Sequence, residues 1–183
     1  MKVLAALTHF TRPVEVKFIA ELGGLSPIAA RTALEDLADR ALIVADAGAE
    51  EFLLTPLVAI FLRRKRPEVV AETGDRLEKH AYALIVENGG ANYDRFPILK
   101  SAWHVVSPAL PAFVAGSNHR LQRVFKKLKD FLDFEGHWDE QLAFSLQAES
   151  IAEAANDYRS AGLRAGVIKS GAERETPSSL PGW

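Results

Sequence analysis

Apolar and polar positions along the chain fall into short blocks of helical period, punctuated by proline and glycine. Residues 3–10, VLAALTHF, form an apolar run that stops at Thr11-Arg12-Pro13, because proline removes the donor a helix interior needs. A second short helix, predicted over 14–22, ends at Gly23-Gly24. Ser26 and Pro27 then supply an N-cap and a preset first helical residue for a third helix. Its period turns Ile28, Leu34, Leu37 and Ala38 inward. ALIVADAGAEEFLL follows, with two β-prone runs, 42–44 and 52–54, flanking a small polar loop that contains glycine, the pattern of a hairpin. Three short helices followed by a hairpin give the order of a winged helix-turn-helix.

Thr55 and Pro56 start a fourth helix, from 57 to about 64, which runs into Arg63, Arg64, Lys65 and Arg66 before Pro67. From Glu68, the positions Val70, Leu77, Ala81, Leu84 and Ile85 keep helical phase until Asn88-Gly89-Gly90 stops it. Pro97, Pro108 and Pro111 divide NYDRFPILKSAWHVVSPALPAF into short helices joined by bends. SNHRLQRVFKKLKDFLDFEG sets Leu121, Val124, Phe125, Leu128 and Leu132 along one stripe, with Arg120, Arg123, Lys127 and Asp130 opposite. Gly136 ends that helix, and the next carries Trp138, Leu142, Leu146, Ile151 and Ala152. Asn156-Asp157 turns the chain again, and a last helix, 158–170, closes at Gly171. The interval from Gly136 to Gly171 is close to the ~34-residue period of a tetratricopeptide helix pair. In such a pair Gly136 makes the repeat turn, Trp138 fills the angle between helices, and Leu142 and Leu146 stack on the neighbour. The expected fold is mainly α: a winged-helix domain with a small β-hairpin at 1–66, a helical linker region at 67–118, a tetratricopeptide-like repeat at 119–172 and a loose tail at 173–183.

Composition narrows the function classes. With 183 residues, 48 % of them hydrophobic, the chain can bury a core and is expected to be folded. A formal net charge of -2 gives no overall attraction to a polyanion, so nucleic acid is not favoured. No cysteine is present, which excludes disulfides, thiol nucleophiles and thiolate metal sites and suits a cytoplasmic protein. No apolar stretch approaches the ~20 residues of a membrane helix, so no membrane association is expected.

The histidines, His9, His80, His104, His119 and His137, fall in no metal-ligand spacing. Asp139 and Glu140 are consecutive on a helix, so their side chains diverge by roughly 100° and serve the helix dipole better than acid-base chemistry. The nearest glycine spacing to a phosphate-cradling loop, Gly166 to Gly171, is followed by Ala172 and Glu173 instead of Lys-Ser/Thr, so there is no P-loop. Arg63, Arg64, Lys65 and Arg66 fit a solvated helix C-terminus, where cations offset the dipole, and are the candidates for phosphate contact if there is any. On the would-be recognition helix the outward residues are Arg31, Glu35, Asp36 and Asp39, three of which repel a DNA backbone. A second basic cluster, Arg120, Arg123, Lys126, Lys127 and Lys129, reads as a solvated or partner-facing surface.

A winged helix closed by FLLTPLVAIFLRR, a linker helix, the irregular stretch around YDRFPILKSAWHVVSPALPAF, and then FLDFEGHWDEQLAFSLQAESIA together resemble the carboxyl-terminal side of bacterial NB-ARC-type signalling ATPases of the STAND class. The resemblance spans residues 3–171. It implies a winged helix that follows a nucleotide-binding domain and precedes tetratricopeptide-type repeats. The family's P-loop and acidic magnesium-binding strand would then lie upstream of residue 1, so the chain resembles a piece of such a protein, a split gene product or a degenerate remnant. Where family members carry a histidine that reads the nucleotide phosphate, LLTPLV has Thr55.

The resulting expectation is a non-enzymatic regulatory or protein-interaction module without a cofactor of its own, meeting ADP or ATP only if a separate nucleotide-binding domain complements it. Its partner would be a protein, including such an ATPase domain, and its truncated repeat would also favour self-association. The alternative is a winged-helix DNA-binding regulator using Arg31, Arg63, Arg64, Lys65 and Arg66 on phosphate. A third reading is a hydrolase centred on His137 and Asp139.

Overall fold

The structure, a computed structural model, describes residues 1–46, 48 and 50–175, with side chains described through residue 166 outside those gaps. Its elements run α1 (Lys2–Leu7), β1 (Val14–Glu15), α2 (Val16–Gly23), α3 (Pro27–Asp39), β2 (Ile43–Asp46), β3 (Glu51–Leu54), α4 (Pro56–Lys65) and α5 (Pro67–Asn88). After a 3-10 turn at Tyr93–Arg95 come α6 (Phe96–Ser101), α7 (Trp103–Val106), α8 (Leu110–Ala115), α9 (Asn118–Glu135), α10 (Trp138–Ala154) and α11 (Tyr158–Glu175). Helix takes 76 % of the chain, which makes the fold mainly α with a small three-stranded antiparallel sheet. The chain forms two compact units, one of residues 1–81 with 102–110, the other of 82–101 with 111 onward.

In the first unit the sheet order is β1-β3-β2. Val14 pairs with Phe52, and Ile43 with Leu54. Phe52 and Leu54 alternate inward along β3, as the two-residue period of a strand requires. They join Val3, Leu4 and Leu7 of α1, Ile19 and Leu22 of α2, Ala30 and Leu34 of α3, and Leu62 of α4 in one core. Ser26 caps α3 by accepting the Ala29 N–H at 3.2 Å. Gly24 takes φ 62° and leaves room for the Arg76 guanidinium, which donates to the Leu22 carbonyl at 3.1 Å and so caps the end of α2.

In the second unit α9 is the central helix. Leu121, Val124, Phe125, Leu128, Phe131 and Leu132 are all sealed from water. Phe131 meets Phe96 of α6 edge-on at 5.5 Å, and Phe125 meets Phe144 of α10 at 5.7 Å. Gly89 and Gly90 let the end of α5 approach α9 closely. The Gly90 N–H donates to the Lys127 carbonyl at 2.6 Å, and a Cβ on Gly89 would lie 2.4 Å from that same oxygen. At the other end of α9, Gly136 takes φ 77°, a left-handed cap that glycine adopts without steric penalty.

The structure departs from the sequence pattern at several points. Residues 14 and 15 are β1, not helix, because their backbone pairs with β3. The first helix ends at Leu7. Ile28 points to solvent, and α3 buries Ala30 and Leu34, with Leu37 and Ala38 half-buried. The last helix runs through Gly171 to Glu175, so the expected tail begins inside α11, and its residues 176–183 lie outside the described residues.

Glycine substitutions should rank by local geometry in urea unfolding. Gly162 is exposed within α11 with nothing near a Cβ, so Gly162→Ala is expected to stabilise by about 0.5–1 kcal/mol. Gly136→Ala has the same free space but the wrong φ, and should lose about 1 kcal/mol. Gly89→Ala must push α5 off a backbone oxygen and should lose more, about 1–3 kcal/mol.

His9 provides a pH test. Its Nε2 lies 2.9 Å from Thr73 Oγ1, and burial, helped by the nearby Arg63 charge and opposed by a hydrogen bond to Val70, holds its pKa below the ordinary imidazole value. The unfolded chain therefore binds the proton more readily, and stability should fall as pH drops through about 6.5 toward the lower folded value. Comparing unfolding midpoints near pH 7.5 and 5.5, His9→Gln is expected to show a smaller drop than the parent chain; an equal drop would count against this origin.

Candidate functional site: two exposed apolar faces and a basic pocket

The outward face of α3 carries the residues that a DNA-reading helix would use. Arg31 is held by Glu50 in a fork, with Nη1 and Nη2 each 2.7 Å from a carboxylate oxygen. The hydrogen bonds to Glu50, and then its charge, raise the Arg31 pKa above its ordinary value. Asp36 accepts from Arg40 on the same helix. Glu35 and Asp39 remain exposed beside this pair and help line a cavity of about 220 Å³ with Arg31, Glu50 and Phe52. The one cation expected to meet phosphate here is neutralised, and its surroundings are acidic.

On α4 the cationic end divides. Arg63 donates to the Thr8 carbonyl, whereas Arg64, Lys65 and Arg66 stay exposed at the helix C-terminus. Thr55, at the N-cap, donates its hydroxyl to the Leu42 carbonyl at 3.2 Å and so ties α4 to the hairpin. Only Leu62 of α4 is fully buried; Leu57 is 78 % exposed, and Ile60 and Phe61 are exposed on the same side. Spacings of three and four residues put these three on one stripe. Sequence reasoning missed that face because LVAIFL is apolar throughout, and an unbroken apolar run gives no phase.

Gly136 makes the turn between α9 and α10. The His137 N–H donates to Leu132 at 2.8 Å and the Gly136 N–H to Asp133 at 3.3 Å, closing α9 before α10 starts. The stacking positions differ from expectation. Trp138 is 57 % exposed, its indole N–H 3.4 Å from the Asp133 carbonyl, so it does not fill the helix angle. Leu142 is half-buried and Leu146 is 50 % exposed. Phe144, Ser145, Ala148 and Ala152 form the inward face of α10 instead. Trp138, Leu142 and Leu146, four residues apart in turn, make an outward stripe. His137 Nδ1 lies 3.5 Å from Glu140 Oε1, while Asp139 is exposed. Among the described residues, no three His, Asp or Glu side chains group to hold a metal ion. No single described helix is long and apolar enough to cross a membrane.

A basic pocket lies between α9 and α11. Arg123, Lys126, Lys129, Arg159 and Arg164 line it together with His119, Asn118, Gln122, Ser160 and Leu163, and Asp157 is its single carboxylate. Arg164 is only 5 % exposed, with its guanidinium 4.0 Å from the Phe125 ring centre and its Nε donating to Gln122 Oε1 at 3.0 Å. Gln122 is fixed in turn, since its amide donates to the Ala148 carbonyl at 2.7 Å and to Asn118 at 3.0 Å. Asn118 donates to Asp157, whose other oxygen accepts the Ser160 N–H. Ser160 and Asn118 hold the Asp157 pKa down, and burial lowers that of Arg164 against the pull of Asp157. The sequence showed the α9 cations but not Arg164, which reaches Gln122 from 42 residues away.

No family model, curated protein or solved structure matches the chain.

The two faces of α10 can be told apart by truncation. Phe144→Ala should cost about 3–5 kcal/mol in urea unfolding, as a buried aromatic does. Leu146→Ala should stay within about 1 kcal/mol because half of that side chain already meets water. A large loss at Leu146 would restore it as a stacking residue.

Proposed function

We propose that this chain is a non-catalytic regulatory and protein-interaction module, a winged helix-turn-helix in one unit and a tetratricopeptide-like helix pair in the other, resembling the distal part of a STAND signalling ATPase. The order α1-β1-α2-α3-β2-β3 with sheet order β1-β3-β2 supports the winged helix. The turn at Gly136 between α9 and α10, with α11 packed on α10, supports the repeat-like pair. The partner is a P-loop ATPase domain, and ADP or ATP enters only through it.

The observation that carries this reading is the exposed stripe Leu57, Ile60 and Phe61 on α4. Each such side chain gives up to about 1.5–3 kcal/mol when a partner removes it from water, enough together for a specific contact. The acidic face of α3, with Arg31 already bound to Glu50, weighs against the DNA-binding alternative.

Mixing the purified chain with a separately expressed P-loop ATPase domain of the STAND class tests the reading. The expected result is a complex on size-exclusion chromatography with light scattering, lost in the double variant Leu57→Asp, Phe61→Asp. A labelled DNA duplex is expected to give no anisotropy change at about 150 mM salt. Saturable duplex binding that weakens steeply with salt and is lost in Arg64→Glu, Arg66→Glu would replace this reading with the DNA regulator.

A further inference from the structure

We propose that the pocket between α9 and α11 binds a small molecule carrying two or more phosphate groups. This inference is independent of the docking face on α4. Five cationic side chains line the pocket against one carboxylate, Asp157, whose oxygens already accept from Ser160 and Asn118. Lys129 also pairs with Asp130. Arg123, Lys126, Arg159 and Arg164 remain without a carboxylate hydrogen-bonded to them among the described residues.

Arg164 sets this cluster apart from a solvated cationic surface. It is buried, stacked on Phe125 and hydrogen-bonded through Nε to a neutral acceptor. A guanidinium taken from water with only the more distant pull of Asp157 is costly to hold, and a bound phosphate supplies a directly bonded anion. The Asn118–Gln122–Ala148 hydrogen bonds turn Gln122 Oε1 toward Arg164, so the guanidinium is held before any ligand arrives. Guanidinium groups favour phosphate because their planar donors match its oxygens two at a time.

Spacing argues for more than one phosphate. His119, Arg123 and Lys126 recur along α9 at about one turn, roughly 5.4 Å, and Arg159 faces them from the first turn of α11 beside the Ser160 hydroxyl. A single phosphate does not span that row. The pocket is open, with a volume of about 770 Å³, within the range of small-molecule sites.

The experiment is calorimetric titration of the full chain with inorganic tripolyphosphate, without metal, at a fixed ionic strength of about 150 mM. Saturable one-to-one binding is expected, weakened at least tenfold by the double variant Lys126→Glu, Arg159→Glu. Both positions are exposed, so circular dichroism should show that variant folded. Arg164→Lys, which keeps charge but loses the planar fork, should weaken binding as well; if it does not fold, the double variant decides. Arg64→Glu, Arg66→Glu on α4 should leave binding unchanged. The proposal is overturned by absence of saturable binding at millimolar tripolyphosphate, by binding that ignores Lys126→Glu, Arg159→Glu, or by equal affinity for sulfate. It is also overturned if single-stranded or duplex nucleic acid competes at concentrations far below those of tripolyphosphate, which would assign the pocket to a nucleic-acid backbone.

Discussion

The burial of one face of α9 governs the second unit. Six apolar side chains there lose contact with water, each contributing about 1.5–3 kcal/mol, and no rotation of the helix other than this one buries them all. That rotation has consequences for every polar group on the helix. Gln122 falls among the buried residues and must be satisfied, which it is by Asn118, Ala148 and Arg164. Arg123, Lys126 and Lys129 are left at the edge facing α11, where they meet Arg159 and Arg164. The basic pocket follows from core packing: the apolar stripe fixes the helix, and the cations go where the stripe leaves them.

The first unit distributes its polarity differently. The hairpin brings Glu50 to Arg31, so the cation on the outward face of α3 is tied to the β2–β3 turn while Glu35 and Asp39 remain beside it. Such an exposed pair adds little stability, but it changes what the surface presents. On α4, one residue is buried while Leu57, Ile60 and Phe61 are exposed. A cluster of that kind is unusual for a surface with no partner. The two units thus present different surfaces, apolar on α4 and cationic between α9 and α11.

Much of this was legible in the order of residues. Ser26-Pro27, Gly24, Asn88-Gly89-Gly90 and Gly136 stand at helix ends, because cap and turn chemistry is local and needs no tertiary information. The α9 stripe was legible too, since apolar and charged positions on that helix separate cleanly. α10 was not. Trp138, Leu142 and Leu146 lie on one side, and Phe144, Ala148 and Ala152 on another, so the period alone offers two apolar faces. The smaller face went inward because alanine and serine let α9 and α11 approach α10 closely. Two-residue β1 is too short to show a period, and only pairing with β3 defines it.

Local sequence is enough to specify a mainly helical chain, the helix ends marked by Ser26, Gly24, Gly89-Gly90 and Gly136, the hairpin at 42–54, and the buried face of its most amphipathic helix. These depend on neighbours within a few positions, where backbone geometry and periodicity act directly. Tertiary structure alone decided which face of α10 and α4 meets water, that Arg31 is neutralised, and that Arg164 joins Gln122 and Phe125 at the floor of a cationic pocket. Those outcomes join residues far apart in the chain, and the energies that settle them, desolvation and close packing, exist only once distant segments are in contact.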